Sequence, residues 1–90
     1  MNTKEKKELR KKRLLILITI AKLKSTESHT VDVLSKIENK INNQTDFNFV
    51  EIIKYIENQR SDKMGGRFIE LNMVLNKLIK NAKNVKEMLK

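Results

Sequence analysis

Three features of this 90-residue chain predict an all-α fold, a four-helix bundle with a long C-terminal helix. Pro is absent and the only glycines are the adjacent Gly65 and Gly66, so strong helix breakers are confined to one place in the chain. Leu, Ile, Lys, Glu and Asn are abundant, whereas three Phe, one Tyr and no Trp leave little of the β-branched and aromatic alternation that strands need. Apolar residues recur at helical spacing in four separate segments. The length suits one hydrophobic core rather than two, so residues 1–90 are read as a single domain.

The first helix is expected over residues 4–24, where a basic block runs directly into Leu14 to Ala21, apolar except for Thr19. Glu5 sits in the first turn, where a carboxylate complements the helix dipole, and Glu8 precedes Lys12 at the favourable four-residue spacing. Leu9, Ile16, Ile20 and Leu23 share one side, while Leu15, Leu17 and Ile18 widen the apolar surface beyond a stripe. That breadth predicts a second half buried nearly all round and covered by the other three helices. Ser25 to Thr30 then reads as a polar loop, with Thr30 as N-cap and Asp32 in the following turn.

The second helix is expected over residues 31–42, with Val33, Leu34, Ile37 and Ile41 on its buried face. The third, over residues 48–63, has the clearest local start: Asn48 as N-cap, Glu51 three residues on, and Phe47 placed to staple onto Ile52. Phe49, Ile52, Ile53 and Ile56 supply its core face, and Gly65-Gly66 supplies the turn after it. The fourth, over residues 67–89, sets Phe68, Leu71, Leu75, Leu78, Ala82, Val85 and Leu89 at alternating steps of three and four. Such a seam is either the core stripe of a bundle or the interface of a coiled-coil homodimer.

Charge is distributed unevenly. Residues 1–24 carry nine cations against two carboxylates, and residues 65–90 carry six against two, whereas 25–44 and 45–64 are each one charge negative. The net charge of +9 draws anionic partners over a Debye length: nucleic acid, an anionic membrane surface or an acidic protein face. The candidate partner-binding residues are Lys6, Lys7, Arg10, Lys11, Lys12 and Arg13, six cations within eight positions that repel one another unless anions are near. A secondary basic face, Lys77, Lys80, Lys83 and Lys86, steps by three and so winds around the helix rather than lining a strip.

No catalytic or metal-binding constellation accompanies these charges, and no cofactor is expected. Cys is absent, which removes disulfides, thiolate ligands and cysteine nucleophiles and suits a reducing cytoplasm. His29 is the sole histidine, and Glu27 and Asp32 nearby do not complete a ligand set or an acid–base pair. Neither a phosphate-binding Gly loop nor a helix-turn-helix with a tight Gly turn is present, and no aromatics interleave the cations to stack on bases. The run ending at Ala21 is about half the length needed to span a bilayer as a helix, and no small-residue cleavage pattern follows it. A non-enzymatic binding protein is the expectation, cytoplasmic or peripheral to a membrane.

Two segments carry a family resemblance. LLILITIAKLKSTESHTVDVLSKIENKIN resembles the first helix, polar loop and second helix of the immunity proteins of pediocin-like (class IIa) bacteriocins. VEIIKYIENQRSDKMGGRFIELNMVLNKLIKNAK resembles their third helix, short loop and amphipathic fourth helix. The resemblance covers nearly the whole chain in order and pattern, without any invariant motif. It implies an antiparallel bundle in the cytosol that protects a producing bacterium by acting on the bacteriocin's membrane receptor complex. The alternative is a phage- or plasmid-type accessory protein that binds nucleic acid, or a nucleoprotein complex, through its basic terminal helices.

Overall fold

The computed structural model describes residues 3–60 and 69–88, and these form four helices and no strand. Helix α1 spans Thr3–Lys24, α2 Ser28–Asn42, α3 Phe49–Asn58 and α4 Ile69–Met88. Residues 61–63, the Gly65-Gly66 turn, Arg67, Phe68 and Leu89 lie outside the described residues. Each helix packs against its neighbours in the ring α1–α2–α3–α4, and α1 also packs on α4 to close it; the diagonal pairs touch less.

Contacts at the two ends fix the helix directions. Lys7, early in α1, meets Asp46 between α2 and α3, while Lys86, late in α4, lies 5.4 Å from the centre of the Phe49 ring at the start of α3. At the opposite end, Thr26 and Glu27 between α1 and α2 meet Glu70 at the start of α4. Neighbouring helices therefore alternate up and down, giving the expected antiparallel four-helix bundle, 42 Å along its longest axis.

One core serves all four helices. Leu14 and Ile18 of α1 pack with Val33, Leu34, Ile37 and Ile41 of α2 and with Ile52, Ile53 and Ile56 of α3. Helix α4 contributes Leu71, Leu75, Leu78 and Ala82. Most of the described seam is thus spent inside this chain, and a homodimer built on it would have to open the bundle. Phe47 and Phe49 close one end of the core, their rings edge to face with centroids 6.4 Å apart.

Helix α1 departs from expectation. Only Leu14 and Ile18 are fully buried, Leu15, Leu17 and Ala21 are partly so, and Ile16, Ile20 and Leu23 are exposed at 57%, 43% and 82%. The physical reason is topological: a helix at the corner of a four-member ring has neighbours on two sides only, so its outer arc stays bare. Toward the amino end the partly buried surface continues through Arg10, Lys11, Leu9 and Lys7, while Ile16 is exposed.

The start of α2 and the end of α3 also differ. Helix α2 begins at Ser28 with Glu27 as N-cap, and Thr30 is buried within the helix instead of capping it. Its start is fixed from α4, where Glu70 accepts the backbone N–H groups of Thr26 and Glu27 at 3.1 and 3.0 Å and the Thr26 hydroxyl. A carboxylate 43 residues away thereby takes the place that Glu at the third helical position has in a capping box.

Helix α3 starts as expected, with the Asn48 side chain accepting from the Glu51 N–H at 3.0 Å. The reciprocal bond comes from Gln44, whose side chain accepts the Asn48 N–H at 3.2 Å, while Glu51 turns toward Lys40. The helix ends at Asn58 rather than residue 63, because Gln59 and Arg60 close onto the Ile56 and Glu57 carbonyls. The Arg60 guanidinium also donates to the Glu57 carbonyl and to Asn76 on α4, holding the chain out of helical register.

Candidate functional site

The six cations near the start of α1 are not one solvated block. Lys12 and Arg13 are exposed, whereas Lys6, Lys7, Arg10 and Lys11 are half-buried. Lys7 Nζ bridges both Asp46 carboxylate oxygens at 3.3 Å. The Arg10 Nε is buried without a hydrogen-bond partner among the described residues, so the Arg10 stem serves as part of the packing surface.

The fourth-helix cations diverge in the same way. Lys77, Lys80 and Lys83 are exposed, while Lys86 is half-buried over Phe49. Lys7, Arg10 and Lys86 come together around Phe47 and Phe49 at one end of the bundle, beside Asp46. Lys77 instead borders a groove between α1 and α4, and Lys83 faces the α3 side with Lys54 and Glu57. The predicted residues therefore form no single pocket, and no group of three or more His, Cys, Asp or Glu placed for a metal ion occurs among the described residues.

What the fold does assemble is a face. Helices α1 and α4 share the most extensive helix–helix contact, so the two basic ends of the sequence lie side by side. Between Leu9 and Thr26, α1 and its exit carry Arg10, Lys11, Lys12, Arg13, Lys22 and Lys24, and between Leu71 and Lys86 α4 carries Lys77, Lys80, Lys83 and Lys86. Neither span contains Asp or Glu. Residues 27–60 hold six carboxylates against four cations, which places the acidic groups in the α2–α3 half. An asymmetry between ends and middle of the sequence becomes an asymmetry between opposite sides of the bundle.

The α1–α4 side is also the apolar one. A groove of about 500 Å³ runs between the helices, floored by Leu17, Ala21, Val74 and Leu78 and edged by Ile20 and Met73, with Lys24 and Lys77 alongside. Of the six large hydrophobic side chains exposed among the described residues, Ile16, Ile20, Leu23, Ile69 and Met73 belong to α1 and α4, and only Val50 lies elsewhere. These residues were assigned to the core by pattern reading, or not singled out at all. The available signal was an excess: α1 has more apolar positions than a corner helix can bury.

Glu70, in the first turn of α4, ties that helix to the α1–α2 connection. Its carboxyl is held well below the ordinary range, at about 2, chiefly by the Thr26 hydroxyl and then by the Glu27 N–H, against a smaller opposing effect of desolvation. The buried Thr30 hydroxyl adds the weakest of these contributions without reaching good hydrogen-bond geometry. Among the described residues no helix is long and apolar enough to cross a membrane. No protein-family model matches the chain, and no curated protein or solved structure matches it either.

Proposed function

We propose that this chain is a non-enzymatic binding protein that engages its partner through the α1–α4 face, most concretely as an immunity protein against a pediocin-like bacteriocin. One observation carries the reading: Ile20 and Met73, both exposed, edge the α1–α4 groove beside the exposed Lys24 and Lys77, and no carboxylate occurs in residues 9–26 or 71–86 of the two helices. A side that is both cationic and apolar suits a partner at or in a membrane, such as the receptor complex on which those immunity proteins act. The family resemblance in helix order and loop placement supports the same conclusion, and the four-helix architecture agrees with it.

Expression in a bacteriocin-sensitive strain tests the proposal. The expected result is a marked loss of sensitivity to at least one pediocin-like peptide. Unchanged sensitivity across several such peptides, together with submicromolar binding to duplex DNA that weakens steeply with salt, would favour the nucleic-acid alternative instead.

A further inference from the structure

We infer that the α1–α4 face docks on the surface of an anionic phospholipid bilayer, its apolar stripe entering the headgroup region while neighbouring cations meet lipid phosphates. The inference rests on the reading of that face as the contact surface and names its partner. Ile16, Ile20 and Leu23 follow one another at steps of four and three along α1, and Ile69 and Met73 lie four apart on α4. All five are exposed. Arg13 stands one turn before Ile16, Lys24 one turn after Ile20, and Lys77 one turn after Met73, and all three are exposed.

This combination separates the candidate partners. Nucleic acid would engage the cations but would leave Ile20 and Met73 against a polar backbone, and the α1–α4 groove offers no aromatic side chain to stack on a base. A second copy of the chain would bring two molecules of net charge +9 together through their most cationic sides. An anionic bilayer supplies a negative surface potential and an apolar layer a few ångströms beneath it, and the exposed side chains match both. The carboxylates of α1 and α4 do not oppose this approach, since Glu5, Glu8 and Glu87 lie toward the other end of the bundle and Glu70 is engaged by Thr26 and Glu27.

Vesicle flotation provides the test, using phosphatidylcholine vesicles with and without about one-third phosphatidylglycerol. The chain is expected to float with the anionic vesicles and not with the neutral ones. The double variant Ile20→Gln, Met73→Gln should keep its helical circular dichroism, because both side chains are exposed, and should bind anionic vesicles roughly tenfold or more weakly. Absence of binding to anionic vesicles, binding undiminished in the double variant, or tighter binding to duplex DNA at the same salt would each overturn the inference. Protection of a sensitive strain without vesicle binding overturns membrane docking alone. Vesicle binding without protection leaves docking standing and removes the immunity reading.

Discussion

Glu70 shows how one side chain can set a helix boundary from the far side of the sequence. It accepts from Thr26 and Glu27 and lies in the first turn of α4, where its charge also complements that helix's dipole. Its carboxyl is depressed from 4.5 to about 2, so the folded state favours the ionised form. The sign of the pH effect follows: this stabilisation is fully present above the unfolded value and is lost as pH falls from about 4.5 toward 2. Thermal unfolding of the parent chain should therefore weaken more steeply through that window than unfolding of Glu70→Gln, in which the ionisable partner is gone. Parallel pH profiles for the two proteins would show that Glu70 does not tie α4 to the α1–α2 connection. Sequence reading assigned the start of α2 to Thr30 because capping rules see only near neighbours, and the decisive carboxylate is 43 residues away. The start of α3 was legible because its cap, Asn48 to Glu51, is local.

At the scale of elements, α1 separates what periodicity can and cannot specify. Its existence and its limits, Thr3–Lys24, follow from composition and spacing, but the sequence offers two overlapping apolar stripes and does not say which one neighbours cover. The bundle buries the stripe of Leu14 and Ile18 and leaves that of Ile16, Ile20 and Leu23 bare. Urea unfolding distinguishes the two. Ile18→Ala removes a fully buried side chain and should cost about 2–5 kcal/mol, whereas Ile16→Ala, at 57% exposure, should change stability by no more than about 0.5 kcal/mol. Equal losses at the two positions would mean that α1 is enclosed all round. Helix α3 makes a related point at its end, where Arg60 reaches Asn76 on α4 and stops a helix that the sequence alone extends to the glycines.

For the whole molecule, the arrangement of charge was half legible. Segment counts show basic ends and a near-neutral middle, but a linear count cannot say whether the ends meet. The up-and-down ring brings α1 against α4 and turns the count into a sided distribution. The basic block of Lys6 to Arg13 is accordingly divided between packed and exposed positions. Lys7 is tied to Asp46, Arg10 is packed at the edge of the core, and Lys12 and Arg13 remain as exposed cations of a longer surface. What the sequence singled out by density, the fold redistributes by side.

The claim that α1 and α4 form the partner face is tested most directly by two double variants that each remove two exposed cations, assayed for protection in the same sensitive strain. Arg13→Gln, Lys77→Gln removes them from the α1–α4 side, and Lys36→Gln, Lys54→Gln removes them from α2 and α3, with the same change in net charge. Protection that falls in the first variant and persists in the second is the predicted result; protection that falls equally in both, or only in the second, would contradict it.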